Sequence, residues 1–254
     1  MNFEAVLEHH LLDHTLLPLA SVGGIPLGIT KHVLMMWIVG AAALVVFSYA
    51  ARTKTRVGLL LRTALEAVIL FIRDRILEPA LGHAAHDYLP YFLTLFFFIL
   101  FSNLAGLVPY GATATGNISV TAALALCTFG LIQVAGVREQ GLVSYVKHIV
   151  PGGLPVYLVP LLFLIEILGL VAKCFALSIR LFANMIAGHI VALAFLSLIF
   201  IFGAMIPWVG LAAAPFSVGM ALFVYCLDLL VALIQAYIFT MLTALFVAGA
   251  VHPH

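Results

Sequence analysis

The sequence predicts an all-α membrane protein with about five membrane-embedded helices plus one amphipathic surface helix. The last two helices are expected to be long, tilted and packed as a hairpin. Composition gives the class: of 254 residues, 65% are hydrophobic and only 8% charged, and mean hydropathy is +1.24. A soluble domain carries about 25% charged residues, so this chain has too few to coat a water-facing surface. Pattern gives the helices, because the apolar runs continue for about 18 residues or more and do not alternate with period two. Length gives the hairpin: residues 156–202 form an apolar region that would extend roughly 70 Å as a helix, against a hydrocarbon core about 30 Å thick.

The elements follow in order. Residues 1–32 are mixed in character and read as an external segment, with a loop at Gly23-Gly24-Ile25-Pro26. His9, His10 and His14 have helical spacing that a metal site could use, but terminal histidine clusters are more often solvated and no metal is assigned. Glu4, Glu8 and Asp13 are the reverse of a basic signal-peptide start, so no cleavable leader is expected. Residues 33–50 form the first crossing. Arg52, Lys54 and Arg56 come directly after it, so the positive-inside rule turns that end to the cytoplasm and the N-terminus outward.

Residues 57–85 are apolar but punctuated by charges, and Arg62, Glu66 and Arg73 fall on one stripe at about 100° per residue. This suits a helix on the cytoplasmic membrane surface, loosened at its end by Pro79 and Gly82. Residues 88–137 read as a transmembrane hairpin: an aromatic-rich crossing over 88–108, an external turn over 109–117, and a return over 118–137. Arg138, Glu139 and Lys147 then mark the cytoplasmic side again. Pro151, Gly152, Gly153 and Pro155 break the chain before the long hairpin of 156–250. Its turn is bracketed by Pro207 and Pro215, its final helix covers 217–250, and its C-terminus is cytoplasmic.

After Lys147 the only Asp, Glu, Lys or Arg residues are Glu166, Lys173, Arg180 and Asp228. The first three are seven apart, so each is rotated only about 20° from the last. Asn184 stays within about 40° of Arg180, whereas His189 lies about 180° around. Asp228 and Gln235 share a face of the final helix. One reading is structural pairing, Glu166 with Lys173 and Arg180 with Asp228. The other is an aqueous proton path, because His189 and Asp228 can carry a proton near neutral pH after modest perturbation, and Asn184 and Gln235 can hold water. The isolated Cys127, Cys174 and Cys226 have no metal-ligand spacing and read as small packing residues.

The run Ser178-Ile179-Arg180-Leu181-Phe182-Ala183-Asn184-Met185-Ile186-Ala187-Gly188-His189 resembles the signature of subunit a of F-type ATP synthases. Four further stretches fit that family in order: Pro90-Tyr91-Phe92-Leu93-Thr94, the run from Ser102 to Pro109, the run from Thr115 to Thr121, and the run from Leu233 to Phe239. The resemblance covers roughly residues 30–250. It implies that Arg180 is the essential charge facing a rotating ring of c subunits. It places His189, Asp228, Gln235 and Asn184 on the proton inlet half-channel, and Glu166 and Lys173 on the exit half-channel. In some members the positions of His189 and Asp228 carry Glu and His; here imidazole and carboxylate are exchanged, which supports one shared site between two helices. Gly106 departs from relatives that have an acidic residue there. The charged stretch from Arg62 to Glu78 looks like the bacterial form, implying a bacterial inner membrane.

The partners implied are the c-ring, peripheral-stalk b subunits, the rest of the ATP synthase and the bilayer. No cofactor, metal or nucleic acid is implied. The chain is expected to perform no bond chemistry alone, since phosphate-cradling loops are absent. The alternative reading is a self-contained proton-coupled transporter or channel, for which internal repeats would be expected; a membrane-embedded hydrolase lacks any Ser or Cys with a partner pattern.

Overall fold

The computed structural model describes residues 15–22, 25–108, 113–142, 144–145, 159–205 and 207–251. It is helical apart from one short antiparallel hairpin, β1 (Thr15–Val22) and β2 (Ile25–Thr30). The helices are α1 (Lys31–Arg52), α2 (Arg56–Ile72), α3 (Glu78–Leu81), α4 (Ala85–Gly106), α5 (Ile118–Gln140), α6 (Val159–Met205) and α7 (Pro207–Val251). Among the described residues five helical stretches are long and apolar enough to cross a membrane, Arg56–Gly106 taken as one of them. The chain is therefore a multi-pass membrane protein. Its outward side chains fit that solvent: Leu44, Phe200 and Trp208 are each more than 70% exposed, which lipid tolerates and water would not.

Three expectations change. The hairpin β1–β2 was not foreseen, and Ile25 and Pro26 belong to β2, where they pair with Val22 and Ser21. Proline survives there because a two-stranded sheet has only edge strands, whose outward N–H groups need no ladder partner. The histidines His9, His10 and His14 lie outside the described residues.

The surface helix is also shorter than 57–85 and is not separated from the next crossing by a loop. A π turn at Arg73–Leu77 joins α2 to α3, and a tight 3-10 turn at Gly82–Ala84 leads directly into α4. Gly82 makes the break, at φ +56°, a region glycine enters without a Cβ penalty. Finally, the turn between the long helices is not bracketed by Pro207 and Pro215. Helix α7 begins at Pro207 and carries Pro215 inside it. Proline is tolerated in a first turn because those N–H groups have no intrahelical acceptor.

The chain forms two compact units. The first contains the chain up to Ala43, then Phe98–Val120 and Leu181–Ala236. Its buried interior is largely small or branched: Ile99, Leu181, Ala192, Ala221 and Ala232. Small residues let membrane helices approach until backbones touch, which matters where lipid supplies no hydrophobic drive between helices. Gly203 of α6 and Gly210 of α7 show this, since a Cβ on Gly210 would lie 2.6 Å from the Gly203 nitrogen.

The second unit contains Leu44–Phe97, Thr121–Arg180 and the chain from Tyr237. Its interior holds Ile72, Leu77, Phe92, Ile132, Leu177, Phe239 and Val247. Aromatic edges lock it, with Phe47 and Phe97 T-shaped at 4.9 Å. Thr55 caps α2 by accepting from the Gly58 N–H at 3.2 Å, one of the donors a helix start leaves free. The charge stripe of α2 is exposed, and Arg62 donates to Glu66 at 2.7 Å. Long helices α6 and α7 pack against each other: Gly203 meets Gly210 in the first unit, and Lys173 lies over Phe246 in the second.

Candidate functional site

Helix α6 runs unbroken through Glu166, Lys173, Arg180, Asn184 and His189. Its buried residues are Cys174, Leu177, Ser178, Leu181, Met185 and Ala192. At about 100° per residue these form one seam, with Arg180 about a third of a turn to one side and His189 about a sixth of a turn to the other. The seam fixes the helix rotation, and Ser178 helps hold it by donating to Thr121 Oγ1 at 3.1 Å. Glu166, Lys173 and Arg180 are consequently exposed, Arg180 between the exposed Ile179 and the buried Leu181. Within its own unit Arg180 forms no ion pair with a described residue.

The candidate residues sort by unit. Asn184, His189, Asp228 and Gln235 belong to the first; Glu166, Lys173 and Arg180 belong to the second, of which Arg180 is the last residue on α6. In the first unit Asp228 of α7 sits against Gly188, so closely that a Cβ there would fall 2.6 Å from the carboxylate carbon. His189 is the next residue along α6. The Asp228 carboxylate, which the resemblance assigns to one site with His189, thus meets the backbone of α6 directly beside it. Asn184 is half-buried. Gln235 is 3% exposed, and its Nε2 has no hydrogen-bond partner among the described residues. A buried amide left in that state is a natural seat for water.

Sequence reasoning missed residues that complete this unit. Asn103 Oδ1 accepts from Thr115 at 2.7 Å, Thr115 meets Thr113 at 2.7 Å, and His32 Nδ1 lies 3.0 Å from the Thr113 carbonyl. Asn103 Nδ2 is also buried without a partner among the described residues. Gly106 explains itself here, for a Cβ would lie 2.5 Å from that of Thr113. A larger side chain has no room at this position. Gly188 was legible only as a glycine inside a run of helix formers, which hints at close approach.

In the second unit Glu166 and Lys173 line a cavity of about 190 Å³ together with Gln140, Tyr145, Phe246 and Ala250. The Glu166–Lys173 ion pair of the structural-pairing reading is absent among the described residues. Instead the Lys173 ammonium stands 5.7 Å from the centre of the Phe246 ring, a cation–π contact. Gln140 and Tyr145 were not singled out from sequence, because a glutamine and a tyrosine at a helix end carry no pattern of their own.

These features define a multi-pass helical membrane protein whose longest apolar helices carry isolated charges, three of them, Glu166, Lys173 and Arg180, exposed. The sequence profile of the family ATP synthase A chain matches residues 33–248, and the chain belongs to that family. It is 44% identical over 243 residues to the ATP synthase subunit a of Chloroherpeton thalassium, covering 92% of this chain and 70% of that protein. It is 49% identical over 228 residues to that of Anaeromyxobacter dehalogenans strain 2CP-C, covering 88% of this chain and 58% of that protein. With that of Myxococcus xanthus it shares 46% identity over 241 residues, covering 91% and 77% respectively.

Proposed function

We propose that this chain is the proton-translocating stator subunit a of a rotary F-type ATP synthase in a bacterial inner membrane, with its N-terminus outside and C-terminus cytoplasmic. The carrying observation is Arg180, a permanent charge exposed on an apolar helix without an ion-pair partner among the described residues of its own unit. Facing lipid there, it would cost roughly 2.5–3.5 kcal/mol on insertion scales. A guanidinium keeps its proton at any physiological pH, so Arg180 acts by attraction and not by proton relay. An acidic partner supplied by another chain answers both facts, and family membership supplies the candidate, a carboxylate on each c subunit of a rotating ring.

The mechanism follows from the sorting of residues. Protons arrive through the inlet half-channel of His189, Asp228, Gln235 and Asn184, where the Gln235 amide, unpartnered among the described residues, holds water and the imidazole and carboxylate pass the proton on. A ring carboxylate, once protonated, is neutral and can travel through lipid. It releases its proton into the exit half-channel of Glu166 and Lys173. Arg180, between the two sets on α6, favours the ionised ring carboxylate and repels a proton that would run directly from one half-channel to the other. The membrane potential supplies about 2.3 kcal/mol per charge per 100 mV.

Purification from native membranes in mild detergent tests this. The chain should come with a ring-forming hairpin protein bearing one buried carboxylate, with b subunits of a peripheral stalk, and with an ATPase head. Recovery instead as a free homo-oligomer that conducts protons would establish the self-contained channel.

A further inference from the structure

In the second unit Arg62, Arg73 and Arg138 each pair with a neighbouring carboxylate. At the corner between α1 and α2 the balance is different. Arg52, Lys54 and Arg56 fall within five residues, and no Asp or Glu occurs between Asp13 and Glu66. None of the three forms an ion pair with a described residue, and all three are exposed. The corner itself is firmly built. The Tyr49 hydroxyl lies 3.3 Å from Thr55 Oγ1, the atom that caps α2. Gly58 presses on the turn, since a Cβ there would lie 2.9 Å from that of Thr53.

These cations stand at the end of an open groove of about 480 Å³, lined by Leu44, Val45, Ser48, Tyr49, Arg52 and Thr53. The lining falls in two rows, Leu44-Ser48-Arg52 and Val45-Tyr49-Thr53. Residues four apart on a helix share a face, and Thr53 continues its row because its N–H donates to the Tyr49 carbonyl at 2.9 Å. Over roughly 12 Å the groove passes from apolar to basic. Leu44 and Val45, inside the crossing, are 71% and 66% exposed. Ser48 and Tyr49 then supply hydroxyls, and Arg52 supplies charge where the helix ends.

We infer that this corner is a binding site for one anionic phospholipid. Its phosphate sits among Arg52, Lys54 and Arg56, where guanidinium groups match phosphate oxygens with paired N–H donors. One acyl chain lies along Leu44 and Val45. The head group must carry net negative charge. A zwitterionic lipid would bring its amine among three cations with no carboxylate to receive it, whereas a glycerol head group brings no amine. An acidic segment of a neighbouring protein would answer the charge but leave the apolar end of the groove uncovered. A basic cluster just beyond a crossing, joined to an apolar seat, combines the two attractions that hold a lipid in place.

The test uses the intact complex in nanodiscs of phosphatidylcholine, doped with phosphatidylglycerol that carries a diazirine on its acyl chain. After illumination, adducts on residues 44–53 are quantified by peptide mass spectrometry. Phosphatidylglycerol should label this stretch at least fivefold more than phosphatidylcholine bearing the same diazirine. Arg52→Gln, Lys54→Gln and Arg56→Gln together should abolish that preference. Equal labelling by the two lipids overturns the site, as does a preference that survives the triple substitution. Absence of label with either lipid means that a protein neighbour covers the groove, and overturns it too. Loss of three positive charges can disturb insertion, so the unaltered complex supplies a second arm. Unlabelled phosphatidylglycerol added to the nanodiscs must displace the label, and phosphatidylethanolamine, which is zwitterionic, must not. Equal displacement by both overturns the anionic site.

Discussion

The Asp228 carboxylate rests on the backbone of Gly188, with no room between them for a methyl group. That contact sets how the carboxylate of α7 meets the imidazole of His189 on α6. Gly188→Ala should push the carboxylate away from His189 while leaving every polar group in place. Coupled proton pumping by the complex should fall roughly tenfold, a barrier change of about 1.4 kcal/mol, with the assembled amount little altered. Pumping at the wild-type rate would show that the exact seat of Asp228 is irrelevant to proton uptake.

Gly106 makes a similar demand for a structural reason. A side chain there meets Thr113, which donates to the Ser102 carbonyl at 3.2 Å and anchors the buried Asn103–Thr115 network. Gly106→Ala should destabilise the chain by about 1–3 kcal/mol, the usual cost of overpacking. Gly106→Ala with Thr113→Gly should regain part of it. Thermal loss of the assembled complex, followed by native gel, reads both; a Gly106→Ala complex as stable as wild type refutes the crowding argument.

Ser178 and Thr121 allow a direct measurement of what fixes the rotation of α6. Their hydroxyls meet at 3.1 Å inside the second unit, and hydrogen bonds of this kind inside membranes average about 0.6 kcal/mol in double-mutant cycles. Ser178→Ala and Thr121→Ala should therefore each cost little stability, and a cycle of the two should give a coupling near that value. Zero coupling would leave the apolar seam of Leu177, Leu181 and Met185 as the sole determinant of the rotation.

Much of this was legible in the sequence, and the limits have physical causes. Apolar runs announced the long membrane-capable helices, because lipid leaves an isolated segment few options besides a helix. The seven-residue spacing of Glu166, Lys173 and Arg180 put them on one stripe, and the helix geometry alone guaranteed it. What escaped were features made by tertiary approach. Gly188 against Asp228 and Gly106 against Thr113 depend on residues 40 and 7 positions away, and a sequence window has no access to them. Proline misled at Pro215 because membrane helices accept it where soluble ones break. The β1–β2 hairpin lay in a segment whose mixed composition favoured neither period.

Charge and shape can be tested separately at Arg180, the residue on which the proposed function turns. Arg180→Ala removes the charge: coupled ATP synthesis in membrane vesicles should vanish, and passive proton leak should rise, because nothing then bars a proton from passing between the half-channels. Arg180→Lys keeps a cation yet should also fail, since a lysine can lose its proton when desolvated, whereas a guanidinium cannot. Asp228→Asn and His189→Ala should behave differently, slowing proton uptake while the remaining turnover stays coupled. Measured together as ATP made per proton moved, these four variants separate the readings. Loss of coupling only at Arg180 identifies it as the electrostatic barrier. Equal loss at Arg180, Asp228 and His189 would instead mark a structural cluster, and ATP synthesis at the wild-type rate by Arg180→Ala would end the proposal.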